Sequence, residues 1–404
     1  MLTNHPEITL DSHIQFRPLS KQVEAGAVIL GWADHFLELP QEGLDFLGWL
    51  DEGMSLAEAR ARFETRHNPF PTEDVLAVMA AFQASDFIAT IDGQSLPPRF
   101  APRQAGRSWI PQGWAQVIFS TPVLLTWLAL AVPAALIWVV TPELWPRRAD
   151  YFWTDYYFIV VLVGTLLWLF NMVLHEAAHY LACRAKGIEA TITWTQRLGL
   201  MPMSQTIMHN IWAVPRSTRL FPIAAGMVVD FLRMSVVIYL LYFAQIGLIT
   251  LPELLIAFLK FYLLTATLAL VAQFWLFSKM DGYFLLSALL GQRNLQADTF
   301  NWLTSKLSSK RNFVAPTGGM KFIYIYVVIT LVWGGLFMGQ VLFVSLPIKI
   351  QLLWESLLKT MGGVSLNSLE FADGVAVFTS QMIFWGLLLY AYWRDTLPNW
   401  RRAQ

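Results

Sequence analysis

The stretch Val173-Leu174-His175-Glu176-Ala177-Ala178-His179-Tyr180 closes an apolar run that starts near residue 157, and it reads H-E-x-x-H. Residues four apart in a helix lie one above the other, so His175 and His179 share a face and can reach one metal ion together. Glu176 points close to the same side, where a carboxylate can hold a water and take its proton. The competing explanation is structural: two histidines at a membrane interface beside a helix-favouring Glu. Choosing between them requires a third ligand and a setting that suits it.

The setting comes from composition. Charged residues make up only 14% of the 404, hydrophobic residues 56%, and the mean hydropathy is +0.48. Soluble domains carry about a quarter charged residues. With 18 Trp and 28 Phe, the deficit predicts a polytopic protein embedded in a lipid bilayer. The formal net charge is zero, so no nucleic-acid partner is expected. Cys183 is the single cysteine, which excludes internal disulfides and cysteine-cluster zinc sites. One helical turn past His179, it reads as a packing residue before it reads as a ligand. Met1-Leu2-Thr3-Asn4-His5-Pro6-Glu7 carries no basic or apolar targeting segment, so the N-terminal part is expected in the cytoplasm.

Residues 1–95 have a soluble composition. Ala27–Leu30 and His35–Leu39 predict two short strands around a turn at Gly31–Asp34, with a weaker strand over Ile14–Arg17. Three helices follow. The first covers about Gln41–Leu50 and stops at Gly53; the second starts at Ser55, with Glu58 completing a capping box. The third runs from Thr72 to about Ala84, and Phe87–Ile91 closes the module as an extended segment. This alternation suggests a small α+β, winged-helix-like domain.

The strand order, the stretch Leu47, Leu50, Asp51, Gly53, Ser55, Leu56, Glu58, Ala59 and the last helix resemble PqqD-like peptide-recognition domains over about residues 13–92. The resemblance implies binding of the leader of a ribosomally made precursor peptide, added as a strand beside His35–Leu39 and next to the Thr72–Ala84 helix. The physics is that of any open strand edge, which offers unpaired N–H and C=O groups. The plainer alternative is a regulatory or interaction domain with no peptide ligand.

After a turn-rich, basic linker over 96–116, apolar runs near the roughly 20 residues a bilayer needs recur at 117–140, 157–182, 222–246, 252–277, 320–345 and 372–393. Pro122 and Pro133 fall in the first and are expected to kink it. Weaker membrane-level helices are expected at Tyr283–Leu290 and around Trp194–Ile211. Arg99, Arg103 and Arg107 precede the first span. Arg184, Lys186, Arg197, Arg216 and Arg219 follow the second; Lys279, Arg293, Lys306, Lys310 and Arg311 follow the fourth; Arg394, Arg401 and Arg402 end the chain. These are alternate loops, which predicts both termini inside. The expected fold is therefore mainly α: about six transmembrane helices over 117–404 and the small N-terminal domain, in a bacterial inner membrane with both termini cytoplasmic.

This topology puts His175 and His179 near the cytoplasmic end of the second span. A catalytic zinc needs a third protein ligand and one open position. The metzincin pattern fails, since Ala182 and Ala185 stand where it needs Gly and His. Glu189 would need a sharp return of the chain. Asp230 sits at helical spacing from Arg233, which suggests a simple ion pair. His209 lies in the intervening loop. Asp281, at the cytoplasmic end of the fourth span, is the best candidate, because a carboxylate there is costly unless it binds something.

His-Glu-x-x-His late in one span with Asp281-Gly282 at the end of another resembles the site-2 protease family of intramembrane zinc metalloproteases, over about residues 157–291. Arg219-Leu220-Phe221-Pro222-Ile223-Ala224-Ala225-Gly226 resembles that family's Ala-Gly element. The resemblance implies His175, His179 and Asp281 as ligands of Zn2+ and Glu176 as general base. Two departures stand out: Met227 follows Gly226 where the family has Pro, and Phe277-Ser278-Lys279 occupy the region of its Asn-Pro element. Asn171, four residues before His175, suits either a hydrogen bond to a histidine or a packing contact. Ile188–Trp194 alternates like a strand, fit to pair with an extended substrate or to pack on the membrane surface.

The expected function is a membrane zinc metalloendopeptidase that processes a precursor peptide recruited by residues 1–95. Two rivals remain: a non-catalytic peptide carrier or partner of export machinery, and a regulatory protease that cuts a membrane-anchored signalling protein. The first predicts processing that survives Glu176→Gln, the second a single-span substrate.

Overall fold

Short-range signals shape the N-terminal elements. In the computed structural model, which describes residues 7–24, 27–33, 35–100, 110–197, 201–307, 320–361, 365–366 and 368–402, the chain opens with β1 (Ile14–Phe16), β2 (Ser20–Glu24), β3 (Ala27–Trp32) and β4 (His35–Pro40). Helices α1 (Gly43–Asp51), α2 (Leu56–Arg66) and α3 (Thr72–Ala84) follow, then β5 (Ile88–Ile91) and β6 (Gln94–Ser95). The capping box forms as the sequence predicts. The Ser55 hydroxyl accepts from the Glu58 N–H at 3.3 Å, and the Glu58 carboxylate accepts from the Ser55 N–H at 2.9 Å. Strand β2 has no forecast in the sequence, because Ser-Lys-Gln-Val-Glu lacks an apolar face; its register with β3 holds it in place.

The remaining elements are α4 (Gln112–Ile118), α5 (Thr121–Val140), α6 (Tyr157–Ala185), β7 (Ala190–Arg197), β8 (Met201–Met208), α7 (Arg216–Gln245), α8 (Glu253–Gln273), α9 (Asp281–Leu290), α10 (Leu295–Leu307), α11 (Met320–Gln340), α12 (Leu346–Met361) and α13 (Leu369–Arg402). Arg103 and Arg107 of the linker, the loop cations Lys310 and Arg311, and Asp34 of the first turn lie outside the described residues.

The chain divides into two compact units. Unit 1 comprises Met1–Pro111, Met208–Leu220 and Ser287–Ile325. It contains two antiparallel three-stranded sheets, ordered β1-β5-β6 and β2-β3-β4, with Ile14 opposite Ile91 and Leu30 opposite Leu37. Val28, Leu30, Leu50, Val75, Met79 and Phe82 are among the side chains that close its core. Two cations from outside the first hundred residues are built into this unit. Arg219 is fully buried, ion-paired with Glu24 and stacked 4.4 Å over the Trp212 ring. Arg293 donates to the Phe36 carbonyl at 2.8 Å and lies over the Phe36 ring. In an antiparallel strand the N–H and C=O of one residue face the same side. The bond from Arg293 therefore falls on the edge of β4 turned away from β3, the edge expected to receive a peptide.

Unit 2 comprises Gln112–Ile207, Phe221–Leu286 and Tyr326–Gln404. Among the described residues, five helices are long and apolar enough to cross a membrane: Gln112–Val140, Tyr157–Ala185, Arg216–Gln245, Glu253–Gln273 and Met320–Met361. These are the dimensions of an integral membrane protein that is mainly helical. The run expected at 372–393 lies in α13, which is not among the five. The first run is interrupted just before Pro122: α4 ends at Ile118, α5 begins at Thr121 with Pro122 in its first turn, and Pro133 lies in the interior of α5. Among the described residues the segment around Trp194–Ile211 is not a helix but contributes the paired strands β7 and β8, and in β7 Thr191, Ile192, Thr193 and Trp194 alternate and are β-branched or aromatic. The short apolar helix expected at Tyr283–Leu290 forms as α9.

Helix α6 is held at its start by a distant residue. The Asp373 carboxylate accepts from the backbone N–H groups of Tyr157 and Phe158 at 3.1 and 2.7 Å, and from Lys359 at 2.8 Å. Those two N–H groups have no partner within the helix.

Candidate metal centre

The α6 geometry stacks His175 over His179 on one face, as their spacing requires. Both rings are buried, 6% and 3% exposed, so their nitrogens must find partners inside the protein. His175 Nδ1 lies 2.7 Å from Asp230 Oδ2, and His179 Nδ1 lies 2.8 Å from the Pro222 carbonyl oxygen. Both oxygens accept, so both Nδ1 atoms carry the proton and donate. In neutral imidazoles that assignment leaves both Nε2 atoms as acceptors.

The two Nε2 atoms face each other at 3.1 Å. Asp281 Oδ2 sits 2.7 Å from His175 Nε2 and 2.9 Å from His179 Nε2. Three lone-pair donors thus converge, a juxtaposition that repels unless a cation stands among them. Tetrahedral bonds of about 2.0–2.1 Å would set such donors ~3.3 Å apart, so the 2.7–3.1 Å found would have to open slightly around an ion. His175, His179 and Asp281 form the one group of three His, Cys, Asp or Glu residues among the described residues with this convergence. The three residues could hold a metal ion, and their nitrogen and oxygen donors suit zinc by type.

Two glycines make the convergence sterically feasible. A Cβ on Gly226 of α7 would come within 2.5 Å of His175 Nε2 and nearer still to His179 Nε2. A Cβ on Gly282 would lie 2.8 Å from the Gln273 carbonyl oxygen and 3.0 Å from Phe274 Cα. The first lets α7 lie against the imidazoles; the second lets α9 begin tight against the end of α8, which brings in Asp281.

Glu176 is 8% exposed, and its Oε2 accepts from the Thr206 hydroxyl of β8 at 2.6 Å. A hydroxyl has one proton, so the 3.1 Å approach of the same oxygen to the Glu176 backbone carbonyl is an alternative and not a second bond. A cavity of about 130 Å³ opens beside the site. Its walls include His175, Glu176, Ser204, Asp230, Arg233 and Gln273 among apolar neighbours such as Leu167 and Trp168. That volume accepts several waters.

The other candidates fall away for local reasons. Glu189 is exposed, and neither it nor His209 belongs to the converging group. Cys183 is a free, fully buried thiol and serves as a packing residue. Asn171 does not bond to a histidine: its Oδ1 accepts from Arg233 at 2.6 Å. Asp230 is paired with Arg233 as its spacing suggests, but it also holds His175. Thr206, the Pro222 carbonyl and the bond of Asp230 to His175 are what sequence reasoning missed. Only Asp230, an acid inside a span, carried a signal that could have found it.

No protein-family model matches the sequence, and no curated protein or solved structure is significantly similar to it.

Proposed function

We propose that the protein is a membrane-embedded zinc metalloendopeptidase that processes a ribosomally made precursor peptide recruited by its N-terminal domain. The observation that carries this reading is the convergence of His175 Nε2, His179 Nε2 and Asp281 Oδ2, with both Nδ1 protons committed elsewhere and Glu176 one residue along the same helix. On this reading there are six spans with both termini in the cytoplasm, and residues 1–95 form a winged-helix-like, PqqD-like peptide-binding module.

A bound zinc ion supplies Lewis acidity, which brings the pKa of a water to about 7 and polarises a carbonyl. The chain's own residues do the rest. Thr206 holds Glu176 by Oε2, which leaves Oε1 to take a proton from the attacking water and return it to the leaving amine. Asp230 and the Pro222 carbonyl keep the two imidazoles oriented. The substrate enters extended, since a helical peptide hides its carbonyls, and the paired strands β7 and β8 offer edges to hold it so.

The test uses the full-length protein and its Glu176→Gln variant, each purified and assayed for zinc. The variant serves as a trap for peptides from an extract of the source cells, identified by mass spectrometry. The reading requires stoichiometric zinc in both proteins and cleavage of the trapped peptides by the wild type alone. Equal processing by the zinc-loaded variant would favour a non-catalytic carrier. A trapped single-span membrane protein would favour regulatory proteolysis.

A further inference from the structure

We infer that Asp230 is a positioning residue that locks His175 in the one tautomer able to ligate a metal, and that Arg233 and Asn171 keep Asp230 in place for that purpose. The inference rests on the reading of His175, His179 and Asp281 as a metal centre.

The four side chains close a loop between two helices. His175 Nδ1 donates to Asp230 Oδ2 at 2.7 Å. Asp230 Oδ1 accepts from Arg233, one turn along α7. Arg233 Nη1 donates to Asn171 Oδ1 at 2.6 Å, and Asn171 lies one turn before His175 on α6. Asp230 itself lies one turn beyond Gly226, whose missing Cβ lets α7 approach the rings. An ion pair alone would need only one carboxylate oxygen. Here the second oxygen is turned to the imidazole, and that is the feature a charge-pairing role leaves unexplained.

The donor and acceptor inventory makes a carboxylate necessary at this position. Arginine offers only donors, so the oxygen facing Arg233 must accept. The Nδ1 of a histidine that ligates through Nε2 carries its proton, so the oxygen facing it must accept too. A carboxylate accepts at both places; an amide accepts at one. In Asp230→Asn the amide oxygen therefore turns to Arg233, and its NH2 faces Nδ1. The imidazole must then accept at Nδ1 and carry its proton on Nε2, pointed at His179 and Asp281, where a metal is excluded. With Arg233 also removed, the amide oxygen is free to turn back to Nδ1 and restore the ligating tautomer.

The test strips metal from full-length protein in detergent and titrates it with Zn2+ against a chelator, with the visible absorption of Co2+ as a second readout of the ligand set. Asp230→Asn is expected to weaken zinc binding by ~10- to 100-fold and to alter the cobalt spectrum. Asp230→Asn combined with Arg233→Met is expected to recover most of the affinity and the wild-type spectrum. If the single variant, with its stranded Arg233, does not fold, two uncharged doubles decide. The double Asp230→Asn, Arg233→Met should bind zinc more tightly than the double Asp230→Leu, Arg233→Met, by ~10-fold or more. Wild-type affinity in Asp230→Asn, or equal affinity in the two doubles, would overturn the inference alone. A wild-type protein that binds no zinc would overturn the metal centre and this inference with it.

Discussion

Gly226 of α7 packs against His175 of α6 so closely that a Cβ on the glycine would come within 2.5 Å of Nε2, the nitrogen that faces Asp281. The absent side chain therefore defines the volume in which the three donors meet. Gly226→Ala sets two effects against each other. Alanine is the better helix former by about 1 kcal/mol, so the helix itself gains. The added methyl stands where a metal would bind. The expected result is a folded protein, by size-exclusion and circular dichroism, whose zinc affinity falls by ~10-fold or more.

Thr206→Val removes the hydroxyl that holds Glu176 Oε2 at 2.6 Å and leaves the three converging donors untouched. Zinc content should match the wild type. Cleavage of a trapped peptide should drop in kcat by ~10- to 100-fold. Thr206→Ser, which keeps the hydroxyl, should recover most of it. Unchanged kcat in the valine variant would show that Glu176 needs no such support.

Glu24 and Arg219 form an ion pair with side chains 11% and 0% exposed. Removal of either partner leaves a buried charge alone, which costs about 3–5 kcal/mol. Glu24→Gln or Arg219→Met should each lower the thermal midpoint and speed proteolysis within residues 1–95. Replacement of both partners by apolar residues should cost clearly less than the sum. Strict additivity in this cycle would mean that the pair does not act as a unit.

Arg293 occupies the Phe36 carbonyl on the outer edge of β4. A peptide strand that adds at this edge must displace it. A hydrogen bond from a charged group contributes about 1.5–3 kcal/mol, and about 1.4 kcal/mol is a factor of ten. Arg293→Ala should therefore tighten peptide binding by ~10-fold, measured by fluorescence anisotropy with a labelled peptide recovered from the trap. Weaker binding in the alanine variant would instead make Arg293 part of the peptide's own contact surface.

Much of the fold was legible because it depends on neighbours in sequence. Thr72–Ala84 emerges as α3 with the forecast bounds, since Pro71 and the apolar stripe of Val75, Met79 and Phe82 act within a few turns. The Ser55–Glu58 cap forms for the same reason. Strand β2 was not legible, because pairing with β3 and not its own side chains makes it a strand. The Trp194–Ile211 segment departs from its helical expectation, since hydrophobicity alone does not tell a membrane-level helix from paired strands; the period-two pattern does.

The site divides along the same line. The spacing of His175, Glu176 and His179 on one helical face was determined by the sequence, because a 3.6-residue turn leaves no other arrangement. The apolar runs likewise determined that long membrane-crossing helices would carry them. Only the tertiary structure decided that Asp281 completes the group. It decided too that Asp230 serves His175 as well as Arg233, that Thr206 holds Glu176, and that Arg293 reaches Phe36. Each of those contacts joins residues far apart in the chain, the nearest pair being Glu176 and Thr206, 30 positions apart. Their distance is set by how helices and strands pack, at His175 and Asp281 by the missing side chains of Gly226 and Gly282, and not by any local repeat.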